Sequence, residues 1–140
     1  MIYIASPFFN KEQVSFVEAI EKALNAASIA HYSPRSEGIL LNQTEEEKQK
    51  NKRHIYKINI NMISACSKVL AVIDDRDIGT IWEMGYATGK EIPVITISNS
   101  SYGLNVMLAE SVQAHTIRIE DAIKAIKNNR FRGELLEGVY

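Results

Sequence analysis

The chain has a single cysteine, Cys66, so it forms no internal disulfide and no multi-cysteine zinc site. That thiol usage points to the cytosol. An excess of either charge is also missing. Sixteen Lys and Arg stand against seventeen Asp and Glu, for a formal net charge of −1, which argues against a nucleic-acid module held by a broad basic face. No apolar run nears the roughly 18–20 residues of a membrane span. The opening MIYIASPFF has no basic residue ahead of its apolar stretch and does not read as a signal peptide. Glycine signatures are absent too: there is no G-x-G-x-x-G after the first strand-like run and no G-x-x-x-x-G-K-[ST], so nucleotide cradles of those kinds have no support. No G-x-S-x-G nucleophile elbow occurs. His31, His54 and His115 lie far apart with no second ligand at metal spacing, which speaks against a metal centre.

What is there is enough for a core. Of 140 residues, 46% are hydrophobic, a globular proportion for one domain spanning 1–140. Residues 2–5 (IYIA) read as a buried first strand ended by Ser6-Pro7. From Lys11 to about Ala30, Val14, Val17, Ile20, Leu24 and Ala27 recur at helical spacing. His31–Ser33 is a short second strand stopped by Pro34, followed by a polar loop. Thr44 and the acids Glu45 to Glu47 open a second helix whose stripe is Ile55, Ile58, Met62, Ile63 and Cys66. At the end of that stripe Cys66 reads as a buried, inert thiol. The run KVLAVI (68–73) is the continuous apolar pattern of a central parallel strand. A helix ending near Gly89, a strand Pro93–Ile97, a helix from about Asn105, a strand His115–Ile119 and a helix Glu120 to about Asn129 complete the alternation. Strands alternating with helices predict an α/β fold: a single doubly wound five-stranded parallel sheet sandwiched by helices, flavodoxin-like or Rossmann-like.

In such a sheet, ligands bind outside the carboxyl ends of the strands. The loops that matter are then 6–10, 35–42, 74–80 and 99–105. The third holds the most chemistry. In DDRDIGTIWEMGYA (74–87) four carboxylates fall within ten residues, with Asp77 just before the turn glycine Gly79 and Glu83 one turn into the next helix. Thr80 and Glu83 also fit a capping box, with Thr80 as N-cap, so capping and function both account for Glu83. An Asp–Glu pair at a strand end is the arrangement that glycosyl chemistry uses. Tyr3 fits plain sheet core. Phe8 and Phe9 either staple the following helix or offer a flat ring to stack on. Asn105 fits a helix N-cap, and the charge run 45–53 a solvated helix face with i,i+4 pairs.

Taken together, IYIASPFF (2–9), SPR (33–35), DxGTxxExGYA (77–87), NVM (105–107) and EGVY (137–140) resemble the nucleoside 2-deoxyribosyltransferase family, in the family's order and over the whole chain. The resemblance implies cleavage of the N-glycosidic bond of a 2′-deoxynucleoside and transfer of the sugar to another base, with no metal or organic cofactor and no nucleic-acid or membrane partner. It implies Glu83 as nucleophile, Tyr3 as the residue holding that carboxylate, and Asp77 as the acid beside sugar and base. Phe9, with Phe8, matches the aromatic that stacks on the base. Asn105 and Met107 match a segment that reaches the 5′ end of a neighbouring subunit's sugar, and Tyr140 a terminal contact. Gly79 and Asp75 join the substrate-lining set. Aligned on KVLAVI, the family's base-contacting acid ahead of the central strand becomes Ser67, which stays in the substrate-binding set; its acid role is then weaker or moves to Asp74, Asp75 or Asp77.

The resemblance also implies a homo-oligomer, dimer-based, with Asn105 completing a neighbour's site. The apolar final stretch FRGELLEGVY, which has no period of its own, agrees with burial at such an interface. Two other functions fit the pattern. One is a 2′-deoxynucleoside 5′-monophosphate N-glycosidase, with Ser98, Ser100 and Ser101 near a phosphate. The other is a non-catalytic nucleotide-sensing module, whose signature would be loss of the nucleophile.

Overall fold

A computed structural model describes residues 1–37, 44–99 and 103–128. Its elements are β1 (Ile2–Ala5), α1 (Lys11–Ala26), β2 (His31–Tyr32), α2 (Glu45–Ala65), β3 (Lys68–Val72), α3 (Ile78–Gly89), β4 (Val94–Ile97), α4 (Val106–Ser111), β5 (Ala114–Thr116) and α5 (Ile119–Lys127). Short 3-10 turns cover Pro34–Glu37 and Asp74–Arg76. The sheet runs β2-β1-β3-β4-β5, and every pairing is parallel. This is the doubly wound sheet that the alternation predicts.

The central strands β1, β3 and β4 look almost continuously apolar because each serves two cores. Ile2 and Ile4 of β1, Leu70 and Val72 of β3, and Ile95 and Ile97 of β4 face α1 and α5, against Val17, Ile20, Leu24, Ala122 and Ala125. Tyr3, Ala5, Val69, Ala71 and Val94 point to the other side, against Ile63, Met84, Ala87 and Leu104. The period of two is present but hidden, since both faces are covered.

Several boundaries differ from the sequence reading by a few residues. α1 stops at Ala26, four residues early. Ser28 takes a left-handed conformation (φ 57°), and the amides of Ser28 and Ile29 donate to the carbonyls of Asn25 and Leu24. That is a Schellman cap without its usual glycine. β5 covers Ala114–Thr116 rather than 115–119, since the chain turns at Ile117 and Arg118 into α5. β4 starts at Val94, leaving Pro93 outside the ladder except for its carbonyl, which accepts from Val69. α2 begins as expected: Thr44 caps it and Glu47 closes the capping box. Within its charged first turns the ion pair formed is Lys48–Glu45, spaced i,i+3 rather than i,i+4. Cys66 is the buried C-cap of α2, and burial pushes its thiol pKa up, as an inert thiol requires. No helix among the described residues is long and apolar enough to cross a membrane.

Candidate active site

The chain leaves β1 toward β2 on one side and passes from β3 to β4 on the other, so the strand order reverses at the β1/β3 pair. The crevice of a doubly wound sheet opens there, at the carboxyl ends. Tyr3 enters it from below. It is fully buried, and its ring lies against Tyr32 with centroids 5.8 Å apart. Glu83 enters from above, in the second turn of α3. The Tyr3 hydroxyl donates to Glu83 Oε1 at 2.7 Å. Strand and helix thus meet at a charge-assisted contact.

The local fold frees Glu83 for this contact. The N-cap of α3 is Asp77, not Thr80, and the expected Thr80–Glu83 box does not form. Asp77 Oδ2 accepts from the Thr80 amide at 2.7 Å and from Thr80 Oγ1 at 2.9 Å. The helix therefore starts three residues earlier than the box requires, with Thr80 buried in its first turn. Glycine at 79 matches this arrangement. It lies inside the helix rather than in a turn, and a Cβ there would stand 3.2 Å from Asp77 Oδ2.

Electrostatics follow from the packing. Burial is the largest influence on Glu83; with the nearby negative charge of Asp77 it outweighs the Tyr3 hydrogen bond, and its pKa is pushed up to about 7. Burial, and then the Glu83 charge, push the Tyr3 phenol upward, so it stays a protonated donor. A carboxylate held by one oxygen, with a pKa near neutrality, is suited to nucleophilic or acid–base work.

The remaining expected residues are partly brought together. Phe8 and Phe9 stack on each other, with centroids 5.4 Å apart, in the loop after β1. Phe9 is 76% exposed, so it does not staple α1. Asp75 lies on the α1 side of the turn. It lines a cavity of about 190 Å³ with Glu12, Gln13, Phe16, Val72, Asp74 and Asn99, so it does not share Glu83's side of the sheet. Asp74 accepts from the Ser98 hydroxyl and the Asn99 amide, which commits buried Ser98 to that bond. Asn105 caps α4 through the Leu108 amide, and Met107 is 74% exposed beside it. Ser67 falls at the other end of the sheet. Its amide and hydroxyl both donate to the Met1 carbonyl, and the five residues of β3 put about 16 Å between it and the carboxyl edge. A substrate contact there is corrected by strand direction alone. Tyr140, Ser100 and Ser101 lie outside the described residues.

One polar residue beside the acid-bearing turn has no motif to announce it. Gln13 accepts from the Phe9 amide and donates to Asp75 Oδ2, each at 2.8 Å. Its only sequence signal is its place three residues after Asn10, the N-cap of α1. The turn it reaches holds two non-glycine residues at positive φ, Asp75 (60°) and Arg76 (50°). Such strain is characteristic of sites whose geometry the surroundings impose.

Known proteins share this fold. The family model described as nucleoside 2-deoxyribosyltransferase matches residues 2–124. A solved structure of a 2-deoxyribosyltransferase from the psychrotolerant bacterium Bacillus psychrosaccharolyticus superposes with a TM-score of 0.78 at 29% identity, covering 86% of this chain and 88% of that one. A conserved protein from Enterococcus faecalis V583 shares the fold, with a TM-score of 0.53 at 18% identity over 96% of this chain and 80% of that one. No curated protein matches at a significant level.

Proposed function

Because the chain belongs to the nucleoside 2-deoxyribosyltransferase family, we propose that it passes a 2-deoxyribosyl group from one purine or pyrimidine base to another through a covalent ester on Glu83. The observation that carries this reading is the Tyr3–Glu83 hydrogen bond at the switch-point crevice. With Oε1 held by the phenol, Oε2 is the oxygen that attacks C1′. The C1′–N bond breaks as the C1′–O bond forms, and the base leaves with the bonding electrons and takes a proton from Asp77, which the ring N–H of the incoming base returns in the second step. A ring nitrogen of the second base then attacks C1′ and the carboxylate departs. Two inversions give net retention. A 2-deoxy sugar suits this route, since no electron-withdrawing 2′-hydroxyl opposes positive charge at C1′.

Asp77 lines the sugar and base in this reading, and its charge acts on Glu83. Phe8 and Phe9 supply the stacking surface, with Gly79 beside the cap. Asn105 and Met107 reach the sugar of a neighbouring subunit in a homo-oligomer. In support, Ile78 (85%), Met107 (74%) and Phe9 (76%), on the segments that follow the carboxyl ends of the strands, leave apolar surface uncovered in the single chain. The buried lone thiol of Cys66 accords with a cytoplasmic enzyme. A phosphate-binding reading finds no support at Ser98, whose hydroxyl is turned to Asp74.

The test is incubation with thymidine and adenine. Appearance of 2′-deoxyadenosine with thymine supports transfer, whereas thymine alone means hydrolysis. In the absence of acceptor, the intact protein should gain one deoxyribosyl mass, and the Glu83→Ala variant should not.

A further inference from the structure

We infer that Gln13 is a positioning residue that fixes the aromatic loop 6–10 to the acid-bearing turn 74–77, and thereby sets the gap into which a base slides. The inference rests on the transfer reading for its kinetic consequence, but its structural content stands on this chain's own contacts. Helix α1 starts just after the loop, with Asn10 Oδ1 accepting from the Gln13 amide. That bond places the Gln13 side chain in the first turn, and its two ends then face different segments. Oε1 takes the Phe9 amide, directly beside the stacked Phe8–Phe9 pair, and Nε2 gives to Asp75 Oδ2. Asp75 is one of two residues of this turn at positive φ, two positions before the Asp77 cap of α3.

A single amide thus links the stacking surface to the turn that sets where α3, and with it Glu83, begins. Both functions of the amide are used, as acceptor and as donor, and no charged residue can do both here. A glutamate at 13 would still accept from Phe9 but would face Asp75 as a second anion, with Glu12 and Asp74 lining the same cavity. A residue acting this way governs the fit of the base rather than the bond-breaking step. Its loss should therefore appear in KM for the acceptor base more than in kcat.

Gln13→Met should raise that KM about five- to tenfold, as expected for lost hydrogen bonds at a solvent-accessible site, with kcat within about twofold. Gln13→Glu should be worse. Combining Gln13→Glu with Asp75→Asn restores the link with donor and acceptor exchanged at the same total charge, and should return KM to within about twofold of wild type. A fall in kcat at unchanged KM, or a double variant no better than Gln13→Glu alone, would overturn the assignment. A second measurement needs no substrate. Amide exchange at Phe9, read by NMR, should quicken in Asp75→Ala, because the disturbance travels through Gln13. An unchanged Phe9 amide in that variant would refute the link. If the wild type transfers no sugar, the proposed reaction fails while this amide measurement still decides the role of Gln13.

Discussion

Tyr3 and Glu83, 80 residues apart in the chain, share a 2.7 Å hydrogen bond between the second residue of β1 and the second turn of α3. The bond draws its strength from burial of both partners, and burial also sets its limits. The same desolvation that strengthens the contact raises the Glu83 pKa to about 7. The site therefore holds the Glu83 carboxyl only partly ionised at neutral pH.

The rate of base exchange should accordingly rise through a limb centred near pH 7, because attack requires the carboxylate. Tyr3→Phe removes a hydrogen bond that lowers the Glu83 pKa, so the limb should move to higher pH. The plateau rate should also fall, by about 10–100-fold for a lost bond to a charged group. A pH–rate profile of the two proteins checks both effects. An unshifted limb would mean that the titrating group is not Glu83.

Replacing Glu83 should separate stability from activity. The folded-state pKa lies above the ordinary value of 4.5, so the folded protein binds this proton more tightly than the unfolded chain does. Stability from this source is full below about pH 4.5 and is lost as pH rises through about 7. Glu83→Gln keeps an acceptor for Tyr3 and carries no charge. It should abolish exchange, to below about a hundredth of wild type, yet gain on the order of 2 kcal/mol over wild type at pH 8.5. Urea unfolding at pH 8.5 and pH 5 tests this, with the advantage shrinking at the lower pH.

The topology was legible because it depends on short, local patterns, and the central pair only through the family resemblance, since its partners stand 80 residues apart. The strands announce themselves as apolar runs, and Tyr3, Asp77 and Glu83 stand in fixed strings. Other features were illegible for physical reasons. Asp77 and Thr80 are both competent N-caps three residues apart, and only the burial of Thr80 under Asp77 decides between them. Ser28 closes α1 where a glycine would have signalled the stop. The position of Ser67 follows from the pattern alone: a residue ahead of a parallel strand lies at the amino end, away from the crevice. Gln13 acts through partners 4 and 62 residues away, and no local pattern encodes the second.

Asp77 plays two parts that different substitutions pull apart. Asp77→Asn keeps a side-chain oxygen for the Thr80 amide but removes the negative charge that helps raise the Glu83 pKa. Its activity limb should shift to lower pH with little change in melting temperature. Asp77→Ala loses the cap as well and should cost about 0.5–2 kcal/mol of stability. Thermal unfolding together with the pH–rate profile distinguishes the two variants.

Subunit complementation is the sharpest test of the proposal that Asn105 completes a neighbour's site. Asn105 Oδ1 is committed to the Leu108 amide within its own chain, so only the Nδ2 group is left to reach a neighbour's sugar. Asn105→Asp keeps the helix cap and removes that donor, which avoids the stability loss an alanine would bring. If each site joins Glu83 of one subunit to Asn105 of another, Glu83→Gln and Asn105→Asp proteins should each exchange bases poorly. Mixed and allowed to re-equilibrate, they should recover activity, because some hybrid oligomers pair an intact Glu83 with an intact Asn105. For a dimer with two such sites, a hybrid holds one intact site and one doubly defective site. Recovery should then approach about a quarter of wild type at equal mixing, since half the dimers are hybrids with one working site of two. Activity in the mixture equal to the mean of the two variants would show that each chain builds its site alone.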